Sequence, residues 1–241
     1  ITRLHLAAAE ANPDGGSGGI VYDKGATFLR TLEKLVGREH FDAWLRSYFD
    51  RYAFQPMTSA KFLADFRDNL VKGDSALEQK LLLDKWVYEP GLPANVARPD
   101  PAAFANVDKA VADFASGGAA PAGFEDWTTA EKIRFINKLP RKLSPARLDE
   151  LDGKLGLNGA GNNEVLFAWL ELAVENRYQP AVPALERFLM MQGRRKFVKP
   201  LIEALAEDKE WGRPIAARIY AAARPSYHAV TTRDLDKLGL N

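Results

Sequence analysis

Three short stretches of this chain carry residue types that can do chemistry. Tyr22-Asp23-Lys24-Gly25 sets a phenol among charged neighbours at what reads as a helix start, Arg194-Arg195-Lys196 puts three cations in a row, and Pro13-Asp14-Gly15-Gly16 offers a carboxylate on a turn. A tyrosine hydroxyl is a neutral hydrogen-bond donor. Arginine can fork onto a carboxylate with two parallel bonds, and lysine adds a point charge, so the cationic run could hold an anion. Each stretch also has an ordinary structural reading. Tyr22 could be half-buried with its hydroxyl in water, and the cations could form a solvated helix end or loop. Asp14 sits in a common turn pattern, where proline presets one dihedral and glycine accepts positive ones.

The rest of the composition narrows the classes of chemistry. The three histidines, His5, His40 and His228, lie far apart and make no helical pair, and solvent positions are expected for all of them. The absence of cysteine removes disulfides, thiolate zinc sites and cysteine nucleophiles together, and it fits a cytoplasmic chain. Thirty-three Lys and Arg against 32 Asp and Glu leave a net charge of +1 with no long run of either sign, so no nucleic-acid partner is expected. No stretch approaches the roughly 18–20 consecutive apolar residues of a membrane-spanning helix, and no membrane partner is expected. The start Ile1-Thr2-Arg3-Leu4-His5 has neither a methionine nor the build of a signal peptide, and it reads as a boundary inside a longer protein.

The elements that must position these residues are helices. With 46% hydrophobic residues, including 13 Phe, 7 Tyr and 5 Trp, the chain can bury a substantial interior. From Tyr22 onward its apolar residues recur at spacings of three and four. Phe28, Leu29, Leu32, Leu35 and Val36 mark a first helix stopped by Gly37, and Phe41 to Tyr52 a second whose aromatic stripe is core packing. Thr58 or Ser59 caps a third, and a fourth spans roughly Ser75 to Val87. The run Glu89-Pro90-Gly91-Leu92-Pro93, followed by Pro99 and Pro101, cannot continue a helix and reads as a linker over 91–102. Helices resume at about Ala103–Ser116, Thr129–Lys138, Pro145–Leu155, Glu164–Asn176, Ala181–Met191, Val198–Glu207, Arg213–Ala222 and Thr232–Leu238. The firmest starts are Thr128 with Glu131, a capping box, and Ser144-Pro145. Short links between helices of this length suit stacked antiparallel pairs, as in armadillo or HEAT-like superhelices, although no clean repeat is present. The one candidate strand is Thr2–Leu6.

Three separated segments together resemble the zinc aminopeptidases of the aminopeptidase N and leukotriene A(4) hydrolase family. Asn12-Pro13-Asp14, then Tyr22-Asp23-Lys24-Gly25 and the helix that follows, is similar to the family's tyrosine-acid-lysine-glycine segment. Trp86-Val87-Tyr88-Glu89-Pro90-Gly91-Leu92-Pro93 looks like the signature that ends its catalytic domain. Asn162-Asn163-Glu164, Phe167, Trp169, Leu170 and Leu172, then Gln192-Gly193-Arg194-Arg195-Lys196-Phe197 with Pro200-Leu201, resemble the hydrolase's carboxy-terminal helical domain.

The resemblance implies an all-α chain. Residues 1–90 would complete a thermolysin-like catalytic domain, and 103–241 would form the helical superhelix. It implies that Tyr22 donates its hydroxyl to the oxyanion formed when zinc-bound water attacks a peptide carbonyl. It further implies that Arg194 and Lys196 grip the free carboxylate of a short peptide, and that Asp14 orients a polar substrate group. Ser17 departs from the pattern, standing where the mammalian hydrolase carries a second tyrosine, and this leaves epoxide hydrolysis without that group. The HExxH helix and the later glutamate that hold zinc in the family are absent, so the chain is expected to bind no metal by itself and to be inactive alone. Its expected partners are short peptides and the zinc-binding part of the same polypeptide. The alternative is a non-catalytic helical interaction module.

Overall fold

The computed structural model describes residues 2–6, 18–98 and 100–240, which form thirteen α-helices with short 3-10 turns and one π-helical turn between them. The protein is all-α, and the chain divides into two compact units, Ile1–Asp100 and Pro101–Asn241. No strand occurs among the described residues. The Thr2–Leu6 alternation therefore makes no sheet. Among the described residues it finds no strand edge to pair with, and the His5 amide instead donates to the carbonyl of Val87 at 3.0 Å.

In the first unit, α1 (Gly18–Val36) ends at Gly37, whose φ of 87° is the left-handed value that glycine accepts without a Cβ clash. Helix α2 (Arg38–Arg51) buries Phe41 and Trp44. Helix α3 (Ser59–Phe66) is capped by Thr58, whose hydroxyl accepts from the amide of Lys61. Phe28, Leu32, Trp44, Leu63, Phe66 and Trp86 close a single core.

The expected continuous helix from Ser75 to Val87 is broken. Leu82 adopts a left-handed φ of 51°, separating α4 (Ser75–Leu81) from α5 (Leu83–Tyr88). The physical reason is Asn95, whose amide donates to the carbonyls of Lys80 at 2.8 Å and Leu81 at 2.9 Å and so satisfies the end of α4 from outside. Trp86 Nε1 donates to the same Asn95 side chain, and the amide of Ala97 donates to Thr31 Oγ1. The proline-rich stretch is thus bonded onto the first unit as far as residue 97.

Asp65 is the electrostatic centre of this unit. Its carboxylate is 3% exposed and accepts from Trp44 Nε1 at 2.9 Å, from both forks of Arg51 at 2.7 and 2.8 Å, and from Asn69 at 3.0 Å. Burial pulls its pKa up, but the hydrogen bonds from Arg51 and Trp44 outweigh that and hold it below the usual carboxylate range. The stability it contributes is therefore present above the unfolded-chain pKa and is lost as pH falls through the lower folded value. Asp65→Ala strands Arg51 and the Trp44 indole N–H, and is expected to cost the first unit about 2–4 kcal/mol. Urea unfolding at pH 7 measures the cost, and the gap between variant and parent should narrow as the pH is lowered through and below the usual carboxylate range.

The second unit contains α6 (Ala105–Ala115), α7 (Thr129–Lys138), α8 (Pro145–Leu155), α9 (Asn163–Glu175), α10 (Val182–Met191), α11 (Arg195–Glu207), α12 (Gly212–Ala223) and α13 (Ala229–Leu235). The Thr128–Glu131 capping box and the Ser144 cap with Pro145 at the first helical position both form. Alternate helices lie side by side: α7 packs on α9, α9 on α11 and α11 on α13, while α10 packs on α12 behind them. Trp169, Leu170, Leu201, Ile202, Leu205 and Tyr220 sit between the layers. Helix α11 begins at Arg195 rather than at Val198. Phe197 is drawn into the core between Phe167 and Phe188, with ring centroids at 5.2 and 5.6 Å, and the amides of Phe197 and Val198 both donate to the Arg194 carbonyl. Arg195 and Lys196 consequently occupy the first turn of the helix, with Arg194 as its N-cap.

Candidate functional site

Tyr22 lies on the first turns of α1, 77% exposed, at the rim of an apolar groove of about 570 Å3 lined by Leu4, Leu29, Met57, Phe62 and Val87. Its hydroxyl has no hydrogen-bond partner among the described residues. The alternative, half-buried reading of Tyr22 does not hold, because the side chain is exposed. Asp14 and Ser17 lie outside the described residues.

What ties α1 to the segments beside it is Lys24, two residues after Tyr22. Its ammonium donates to the carbonyl of Thr2 at 2.9 Å and to that of Glu89 at 2.7 Å, tying three segments together. Lys24 is 5% exposed, and burial lowers its pKa, partly offset by the charge of Glu89. The motif was legible in the sequence but this role was not, although Lys24, Phe28 and Leu32 fall at four-residue intervals on one buried stripe, where a lysine needs acceptors. Lys24→Met leaves two carbonyls unsatisfied and is expected to cost about 1–3 kcal/mol. Faster amide exchange at His5 and a lower urea midpoint for the first unit are the readouts.

In the second unit, the cations stand at the start of α11. Arg195 donates from Nε and Nη2 to Asp234, at 2.8 and 2.5 Å. Lys196 donates to both carboxylate oxygens of Glu164, at 2.6 and 2.8 Å. No carboxylate among the described residues pairs with Arg194, whose guanidinium lies 5.9 Å from the Phe197 ring centroid. Arg194 is also the N-cap residue of α11 and makes no side-chain cap. A helix start carries partial positive charge on its free amides, so an unpaired guanidinium there is a place that an anion would stabilise. The solvated-helix-end reading accounts for Arg195 and Lys196 through their ion pairs, but gives Arg194 nothing to do.

The histidines behave as surface residues. His5 and His40 are exposed, and His228 caps α13, its Nδ1 accepting from the amide of Val230 at 3.2 Å. Among the described residues no three His, Cys, Asp or Glu side chains gather in a way that could hold a metal ion. No helix among them is long and apolar enough to cross a membrane.

Two family profiles match the chain in order: "Peptidase family M1 domain" over residues 11–86 and "Leukotriene A4 hydrolase, C-terminal" over 127–238. Over these two stretches the chain is similar to the M1 peptidase family. Similar proteins include Leucine aminopeptidase 2 of Aspergillus terreus, 29% identical across 98% of this chain and 39% of its own length. Aminopeptidase B of Mus musculus is 25% identical across 90% of this chain and 36% of its own. The fold is that of the native yeast LTA4 hydrolase structure, with a TM-score of 0.75 and 22% identity, covering 98% of this chain and 42% of that one. This chain therefore spans about two fifths of the length of the relatives it matches. The profile over 127–238 contains Glu164, Arg194 and Lys196, and the profile over 11–86 contains Asp14, Tyr22 and Lys24.

Proposed function

We propose that this chain is the carboxy-terminal region of a zinc-dependent aminopeptidase that removes amino-terminal residues from short peptides. The observation that carries the reading is Arg194, an unpaired guanidinium at an uncapped helix start, in a chain whose curated relatives are named aminopeptidases. Arg194, with Lys196 beside it, takes the free carboxylate of the peptide. Tyr22 gives its hydroxyl to the oxyanion that develops on the scissile carbonyl, and Asp14 orients a polar group of the substrate. A hydroxyl that meets charge only in the transition state lowers the barrier without tightening the ground state.

Zinc, when bound in such an enzyme, activates the attacking water. The residues of this chain do not fit that metal, having neither a helical histidine pair nor a gathered donor set among those described. In this reading the ligands lie elsewhere in the polypeptide, the enzyme works in the cytoplasm, and the chain by itself is inactive. The test compares the 241-residue chain with the longer polypeptide that contains it. The longer form should carry about one zinc per chain by metal analysis and release amino-terminal residues from tripeptides, and the shorter form should do neither. A longer form without zinc and without peptidase activity overturns the reading in favour of a helical interaction module.

A further inference from the structure

The ion pairs at the start of α11 leave a specific charge balance. Of the three successive cations, Arg195 pairs with Asp234, which also has Lys237 at 3.6 Å, and Lys196 pairs with Glu164, so among the three only Arg194 has no carboxylate partner among the described residues. Glu164 is not a stray rim charge. It stands in the first turn of α9, where the helix dipole favours an anion, and its backbone amide donates to the Asn162 side chain at 2.9 Å. The rings of Phe167 and Phe197, 5.2 Å apart, hold the two helices together just beyond the ion pair.

We propose that Glu164 sets the charge preference of the carboxylate site. By accepting from the Lys196 ammonium at both carboxylate oxygens, it leaves Arg194 as the one member of the three-cation run without a carboxylate partner among the described residues, so the site takes a peptide end bearing one carboxylate and gains nothing from a second. A peptide ending in aspartate presents two carboxylates, and the second meets the Glu164 carboxylate rather than a free ammonium. The proposal rests on the carboxylate-binding role of Arg194 given above.

The test needs no catalysis. The 241-residue chain is titrated with Ala-Ala-Ala, with its carboxy-terminal amide and with Ala-Ala-Asp, following the backbone amide resonances of Arg195 to Val198. The parent chain should bind the acid well above the amide and should bind Ala-Ala-Asp no better than Ala-Ala-Ala. In Glu164→Gln the preference for Ala-Ala-Asp over Ala-Ala-Ala should rise about fivefold, the scale of one released surface charge. Adding Lys196→Ala to Glu164→Gln should cancel that gain. The pair is exposed, so thermal unfolding should not change, and a ratio between two ligands is not moved by a loosened helix. If the acid is preferred over the amide and Arg194→Ala abolishes the preference, yet Glu164→Gln leaves the ratio unchanged, the Glu164 proposal alone fails. If the parent chain binds acid and amide alike, or neither, the carboxylate reading fails and takes this proposal with it.

Discussion

Tyr22→Phe in the longer polypeptide is expected to lower kcat for tripeptides by about 100- to 1,000-fold and to leave KM nearly unchanged. The substitution removes one oxygen and keeps the ring against Leu29, Met57 and the rest of the groove. The lost hydroxyl has no partner among the described residues, so its removal breaks no bond to any of them, and the fold they make should be indifferent. Helix α1 also stays where it is, because Lys24, which Tyr22→Phe leaves untouched, bonds it to Thr2 and Glu89. The loss should therefore fall on the transition state alone. If instead KM rises while kcat holds, the hydroxyl binds the ground state and the oxyanion role is excluded. If the urea midpoint shifts by more than a few tenths of a molar, Tyr22 has a structural role that its exposure does not suggest.

Helices were the easiest part of this protein to read, because apolar spacing reports which side faces a core. Thr129–Lys138 and Pro145–Leu155 have the bounds that their caps announce, since a capping box and a proline at the first helical position are local chemistry. The errors lie where distant residues decide. Leu82 turns left-handed because Asn95 satisfies the end of α4 from the following segment, a contact that no local pattern encodes. The π-helical turn at Arg67–Val71 follows Asp65, whose side chain and carbonyl are both bonded to Asn69, again across chemistry that apolar spacing does not see. At the site, Tyr22 and the cations were legible as motifs. The partners that separate Arg194 from Arg195 and Lys196 were not, because Glu164 and Asp234 sit more than thirty positions away from the residues they neutralise.

Those partners lead to an asymmetry between two residues that the sequence treats alike. Arg194→Ala in the longer polypeptide is expected to reduce kcat/KM for tripeptides about 100-fold, the scale of losing a charge-assisted, two-pronged contact to a carboxylate. A chromogenic amide with no free carboxylate should change by no more than about threefold, since it never used that contact. Lys196→Ala should cost tripeptides far less than Arg194→Ala, because Lys196 already has Glu164 at 2.6 Å and gives the substrate only what that carboxylate leaves over. Arg194→Lys should recover only part of the loss, since an ammonium keeps the charge but not the planar fork. Equal losses on tripeptide and chromogenic amide would mean that Arg194 supports the fold of α11 rather than the substrate. A loss for Lys196→Ala as large as that for Arg194→Ala would mean that the ion pair with Glu164 opens when peptide binds, and that both cations then act on one carboxylate.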